Sequence, residues 1–493
     1  MRTFPVEIAL DPSSETPLFL RIARAVMDDI RRGRLKPGAP LPSSRALAES
    51  LGVHRNTVLA AYRELGAEGW IETSPAQGTF VSTAIPDMAT QRSSSKAQAG
   101  IAARLGFDMS SASTAAPVHA HKRGTIVLSA GTPDVRLLPT EIIARAYRRA
   151  ARSSDKRLFD YGDPRGDERL RVALAAMFGS VRGIVASPEE VLVTRGSQMA
   201  LDLTARALLS RGDVVAVEAL GYRPAWEALG QTGARLVPLA VDEEGLSVDA
   251  LEALADRENV RTVYLTPHHQ YPSTVVLSPP RRLRLLELAR TRRIAIIEDD
   301  YDHEFHYDGR PVLPLASADR AGVVVYIGTL SKILAPGLRI GFVAAPAPLI
   351  DRLAAIRYFV DRQGDLAIER AAAELLEDGE VQRHARRMRR IYQDRRDALA
   401  SALHKHLAGY LDFTVPSGGM ALWLRVAADI DVDAWAERAA EHALVVHAGK
   451  RYAFDGRSRP FFRTGFAALN EREIREAVAR LAASRPRSAK ARM

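Results

Sequence analysis

One lysine stands out by its company. In Thr329-Leu330-Ser331-Lys332-Ile333-Leu334-Ala335-Pro336-Gly337-Leu338-Arg339 two hydroxyls precede the amine, Pro-Gly follows it, and a guanidinium closes the run. A solitary lysine is normally a solvated surface group. Here the hydroxyls and guanidinium suit a phosphate, and the amine suits an aldehyde. Thr329, Ser331 and Arg339 are therefore assigned to the phosphate of a phosphorylated aldehyde, and Lys332 to its carbonyl carbon as a Schiff base. A second anion-binding element is read in Thr194-Arg195-Gly196-Ser197-Gln198-Met199. Strand, glycine turn and helix in that order aim the backbone N–H groups of Gly196, Ser197 and Gln198 at a common point. A third stretch, Glu298-Asp299-Asp300-Tyr301-Asp302, puts acids at the carboxyl end of a strand, where ligands of open α/β sheets gather.

Such residues need rigid elements behind them. Apolar, β-branched runs at 191–194, 214–218, 262–267, 294–300 and 323–328 alternate with helical periods. That alternation predicts a mostly parallel sheet covered by helices on both faces, beginning near Thr125. Upstream the texture differs. Leu18, Ile22, Val26 and Ile30 form one helical stripe, and Gly33, Pro37 and Gly38 end it. Pro42-Ser43-Ser44 opens a second helix through Leu51, Gly52 makes a turn, and a third helix runs from His54 to Glu68. Two short strands between Trp70 and Ser82 then surround a glycine-containing tip, which reads as a wing. Helix, turn, helix and wing can place the third helix in the major groove of DNA. Leu47, Val58, Tyr62 and Leu65 are assigned to the core of this head.

Between the two zones, residues 83–124 are rich in Ala, Ser and Thr and poor in large apolar side chains. The segment reads as a flexible linker with one short helix near Ile101–Leu105. The expected division is a head over 1–82, a linker over 83–124, a body over 125–483 and a basic tail over 484–493. At 493 residues without a cysteine, the chain has no disulfide framework and no thiol nucleophile. No signal pattern or membrane-length apolar run is present, so a cytoplasmic protein without a membrane partner is expected. The net charge of +10 does not locate a DNA site, because residues 1–82 hold ten Lys/Arg against nine Asp/Glu. No metal is assigned, since His268 and His269 have no carboxylates at ligand spacing.

The head words Pro42-Ser43-Ser44-Arg45, Leu51-Gly52-Val53-His54-Arg55-Asn56-Thr57-Val58 and Gly78-Thr79-Phe80-Val81 closely resemble the GntR family of regulators. The resemblance implies that Arg45, Arg55 and Thr57 meet phosphates and bases, and that Gly78 approaches the minor groove. Ser43, Ser44, His54 and Asn56 join the same candidate surface, although His54 stands where serine is common. The lysine turn and the acidic word resemble fold-type I aminotransferases, which bind pyridoxal 5'-phosphate. The two resemblances together identify the MocR subfamily: a winged helix-turn-helix joined to an α/β aminotransferase-like body, with a large mostly parallel sheet and a smaller α+β subdomain.

That family implies further roles. Asp299 would pair with the cofactor's pyridinium nitrogen, with Asp300 and Asp302 as alternatives. Tyr301 would hydrogen-bond its phenolic oxygen, Tyr222 would stack on its ring, and His269 and Gln270 would reach it. Tyr161 would enter the neighbour's site in a homodimer. Arg463, within Pro460-Phe461-Phe462-Arg463-Thr464-Gly465-Phe466, would clamp the carboxylate of an amino-acid ligand, helped by Arg223. Two departures stand out: Leu220 replaces a usual proline before Gly221-Tyr222, and Thr274 stands where glycine is expected. The implied function is regulation of a double-stranded DNA operator by a small amine or amino acid sensed at Lys332. A sensor of the cofactor itself, and a working aminotransferase with an appended head, are the alternatives.

Overall fold

The computed structural model describes residues 16–74, 78–83, 107–108, 122–128, 131–309 and 312–486. The chain divides into two compact units, Met1–Pro117 and Val118–Met493. That division falls inside the expected linker. Most of the linker, its short helix, the wing tip at Ala76-Gln77 and the tail beyond Pro486 lie outside the described residues.

In the first unit, α1 (Leu18–Arg31), α2 (Ser44–Leu51) and α3 (Arg55–Ala67) precede a hairpin of β1 (Ile71–Ser74) and β2 (Gly78–Val81). Ile22, Val26 and Ile30 of α1 are buried with Leu47, Val58, Leu65 and Val81, so the stripe read from spacing is the core face. Burying each such side chain contributes about 1.5–3 kcal/mol. The Ser43 hydroxyl accepts from Ala46 N at 3.2 Å and starts α2, while Gly52 at φ +63° ends it. At the start of α3 the His54 Nδ1 accepts from Asn56 N at 3.2 Å, so the imidazole does the capping work that serine does elsewhere. The Tyr62 hydroxyl donates to the Pro42 carbonyl at 2.8 Å and pins α3 beneath the start of α2. The wing is antiparallel, with Ile71 opposite Val81 and Ser74 opposite Gly78.

The second unit is built on a seven-stranded sheet. Its strands are β3 (Val191–Thr194), β4 (Val214–Glu218), β5 (Arg235–Leu239), β6 (Val260–Leu265), β7 (Ala295–Asp300), β8 (Val324–Thr329) and β9 (Gly341–Ala344). In space they run β3-β9-β8-β7-β6-β4-β5, and only β9 is antiparallel to its neighbours. Both faces are buried, which explains the unbroken apolar runs. Val191 and Val193 pack into one cluster with Tyr326 and Phe342, while Leu192, Val325 and Val343 pack into another. A four-stranded antiparallel sheet follows, ordered β10 (Leu411–Asp412), β11 (Ala421–Val426), β13 (Phe461–Gly465) and β12 (His447–Ala448). Ile126–Val127 at the start of the unit pairs in parallel with Leu444–Val445, just before β12. Three helices position the site and its surroundings: α4 (Ser197–Leu208), α5 (Arg223–Gly230) and the 28-residue α6 (Glu380–Leu407). Among the described residues no helix is long and apolar enough to cross a membrane.

Candidate cofactor and ligand site

The carboxyl ends of β3, β7 and β8 converge on the lysine turn. Thr329 closes β8, and its hydroxyl donates to the Ile340 carbonyl at 3.0 Å while accepting from Ser331 N at 3.0 Å. That hydroxyl thereby shapes the turn that carries Ser331 and Lys332. Ser331 is buried and its Oγ has no partner. Burial lowers the pKa of Lys332 below the ordinary lysine value and the guanidinium of Arg463 pushes the same way, against Asp302 and Asp299. A destabilised ammonium is a readier nucleophile.

The β8–β9 ladder pairs Thr329 with Gly341. A Cβ on Gly341 would lie 2.5 Å from the Gly196 carbonyl carbon, so the missing side chain lets the glycine turn before α4 approach. Gly196 itself has φ +77°, and a Cβ there would meet the Arg339 guanidinium at 2.8 Å. Arg339 Nη2 also donates to the Arg195 carbonyl at 2.8 Å. Guanidinium, Ser331 and the uncapped N-terminus of α4 thus form one corner. Its donors and its lack of side-chain bulk suit a phosphate group. Gln198 offers only its backbone there, because its side-chain amide donates to the Pro224 carbonyl at 2.9 Å.

Strand alternation separates the acids. Asp299 Oδ2 accepts from the Tyr264 hydroxyl at 2.9 Å, and Oδ1 is buried without a partner. Burial pushes this carboxyl up to about 7, with Tyr264 and Lys332 opposing. Asp300 is bound by the Tyr326 hydroxyl at 2.7 Å and lies 3.0 Å from His303 Nδ1. Burial opposes its ionisation, but His303, His268 and Arg182 hold it well below the usual carboxylate range. Asp302 Oδ1 is 2.8 Å from His269 Nδ1, both side chains being buried. Asp299 and Asp302 each keep one buried oxygen without a partner and act on Lys332, but Asp302 is engaged by an imidazole whereas Asp299, held only by a phenol, is the carboxylate that fits a protonated ring nitrogen. The Tyr222 ring stands edge-on to Tyr271 with centroids 5.5 Å apart, and burial beside Asp299 pushes its phenol up to about 12. The Tyr301 hydroxyl donates to the His269 carbonyl at 3.0 Å. His269 itself is wedged against Gly418, where a Cβ would meet its Nε2 at 2.4 Å, and Gln270 donates to the Leu220 carbonyl at 2.7 Å.

Arg463, on β13, is only 1% exposed, yet its guanidinium has no carboxylate partner among the described residues. It lies 4.5 Å from the Tyr271 ring centroid, and a Cβ on Gly131 would come 3.1 Å from its Nη2. A buried cation without a carboxylate of its own suits an acidic group. Arg223 is not brought there. At the first turn of α5 it projects into solvent, 3.7 Å from Glu227. Tyr161 is 72% exposed and lies under the Arg362 guanidinium at 3.9 Å. Tyr264, Tyr271 and Gly131 were not singled out from sequence. Tyr264 sits inside an apolar strand, and only the face it shares across β6 and β7 exposes its role.

On the head, Ser43, Arg45, His54, Arg55, Asn56 and Gly78 are exposed, and Ser44 and Thr57 are half-buried. Arg55 Nε donates to the Ser44 hydroxyl at 3.3 Å, bridging the starts of α2 and α3.

A winged helix-turn-helix and an aminotransferase-type lysine corner on one chain define a regulator built by fusion. Comparison with known proteins agrees: residues 123–481 match "Aminotransferase class I and II", a pyridoxal-phosphate family, and residues 18–81 match "Bacterial regulatory proteins, gntR family". The chain is 33% identical over 481 residues to "Probable rhizopine catabolism regulatory protein MocR" of Rhizobium meliloti, covering 96% of this chain and 94% of that protein. It is 31% identical to "HTH-type transcriptional regulator TauR" of Rhodobacter capsulatus, covering 97% and 99%. Among solved structures it resembles LysN, the alpha-aminoadipate aminotransferase of Thermus thermophilus complexed with N-(5'-phosphopyridoxyl)-L-leucine. The TM-score is 0.69 at 30% identity, over 73% of this chain and 92% of that one. The chain belongs to the MocR-like transcription regulators, in which a GntR-type DNA-binding head is joined to an aminotransferase class I and II body.

Proposed function

We propose that this regulator holds pyridoxal 5'-phosphate at Lys332 and senses an amine or amino acid there, changing its affinity for a DNA operator. The single observation that carries the reading is the Lys332 corner: a buried amine lowered in pKa, beside an orphaned serine hydroxyl, a guanidinium and an orphaned carboxylate oxygen. When bound, the cofactor supplies an aldehyde that condenses reversibly with amines.

The chain's own residues do the rest. Arg339, Ser331 and the first N–H groups of α4, from Ser197 and Gln198, orient the phosphate. Asp299 keeps a proton at the ring nitrogen, with Tyr264 fixing the carboxylate. Tyr222 would stack on the ring, Tyr301 would hydrogen-bond its phenolic oxygen, and Arg463 would receive the acidic head of an amino acid. Ser43, Ser44, Arg45, His54, Arg55, Asn56, Thr57 and Gly78 form the DNA-facing surface, and the protein acts in the cytoplasm as a homodimer. The units are a head over 1–82, a linker over 83–124, a body over 125–483 and a tail over 484–493. A ligand shifts operator affinity only by the difference in its affinity for the two states of the dimer.

The test is Lys332→Ala. The variant is expected to lose borohydride-trappable cofactor and all response to amines, while still retarding operator DNA. A full response in the variant overturns the proposal. Turnover of amino donors with a keto acid by the parent protein, with operator affinity blind to amines, would favour the enzyme reading instead.

A further inference from the structure

A cavity of about 570 Å³ opens beside the loop that follows β7, with Ile333, the residue after Lys332, in its wall. Its size falls in the range of small-molecule pockets, about 300–1,000 Å³. None of Lys332, Asp299, Tyr222 or Arg463 lines it, so it is separate from the corner described above. Its opposite wall is α6, which contributes Arg386, Arg389 and Arg390. The i, i+3, i+4 spacing puts all three guanidiniums on one helix face, where they repel one another.

Arg387, beside them on α6, likewise has no carboxylate partner among the described residues, whereas other arginines of the helix are compensated. Arg383 pairs with Glu380 at 2.7 Å, Arg395 with Asp134 at 3.0 Å and Arg396 with Asp397 at 2.8 Å. Arg386, Arg389 and Arg390 have no carboxylate partner among the described residues. The one acid in the lining, Glu304, is already bound by the buried Arg182. Across the cavity stands His306, whose Nε2 is buried without a partner. Surplus positive charge therefore converges on a space walled partly by apolar side chains, with no unengaged carboxylate among the described residues of its lining.

We propose that this cavity is a second ligand site, for a small molecule bearing a phosphate or pyrophosphate group. Three forked donors spread over one helix turn match the many oxygens of such a group better than the two of a single carboxylate. The site needs no cofactor chemistry and stands or falls apart from the reading of Lys332.

Inorganic pyrophosphate, titrated calorimetrically into the full-length, cofactor-loaded protein, tests it. One saturable site per chain is expected. The Arg386→Gln, Arg390→Gln double variant should weaken it about a hundredfold, roughly tenfold per guanidinium. Lys332→Ala and Arg339→Ala should leave it unchanged. Both arginines are exposed, so an unaltered melting temperature of the double variant verifies folding, and Arg389→Gln gives an independent reading. Absence of saturable binding, unchanged affinity in the double variant, or loss only in Arg339→Ala would each overturn the proposal. Tighter binding of citrate than of pyrophosphate would overturn the phosphate assignment.

Discussion

The acids after β7 are chemically alike in sequence, and burial makes them different. The folded pKa of Asp299, about 7, lies above the unfolded value, so the folded chain alone resists ionisation. Stability of the cofactor-free body therefore falls as pH rises from about 4 to about 7. Cofactor-free Asp299→Asn is expected to melt level with its parent near about pH 4 and above it near about pH 8, by the equivalent of up to about 4 kcal/mol. Equal melting at both pH values would show that the carboxylate is not buried as described. Thr274 offers a second test. The sequence put it where glycine is usual, and its backbone indeed adopts φ +65°, a conformation costly for a β-branched residue. Thr274→Gly should stabilise the body by about 1 kcal/mol in thermal melts. At this scale the lysine turn was legible because hydroxyls, amine and guanidinium lie within one short run. The choice among Asp299, Asp300 and Asp302 was not, since it turns on which buried partners each carboxylate meets once folded. Arg223 misled for the same reason: adjacency to Tyr222 in sequence becomes an outward direction at the first turn of a helix.

The longer strands buried on both faces were legible as apolar runs, whereas β9, equally buried, was not. The runs at 191–194 and 214–218 are β3 and β4 as read, and those later in the chain shift by a residue or two. β9 escaped notice because its four residues, Gly341–Ala344, follow directly on the motif and look like its tail. That strand nevertheless ties the lysine turn to the glycine turn of α4. Gly341→Ala forces a Cβ to 2.5 Å from backbone carbon, so the ladder must shift. The variant should lose about 1–3 kcal/mol of stability together with most cofactor affinity. Gly337→Ala, with open space around the new methyl, should change neither. Parallel losses in both variants would mean that any change in this turn is disruptive, and the close approach would lose its meaning.

Over the whole molecule, one surface asks for a partner. Phe359 is 86% exposed and Tyr161 72%, joined through Arg362, which lies over the rings of both Tyr161 and Tyr358. Exposed aromatic clusters of this kind mark association surfaces. If the proposed homodimer forms through this face, Phe359→Asp should give a monomer by light scattering and loosen the cofactor with it. A variant that stays dimeric with its cofactor tightly held would move the interface elsewhere. Finally, Ile126–Val127 is stitched beside Leu444–Val445, and Leu128 accepts from Gly465 N at the end of the strand that carries Arg463. The polypeptide entering the second unit is thus moored beside the end of the strand whose arginine, in the proposed function, receives the incoming metabolite. On that reading, whatever tugs on the arginine tugs on the mooring as well.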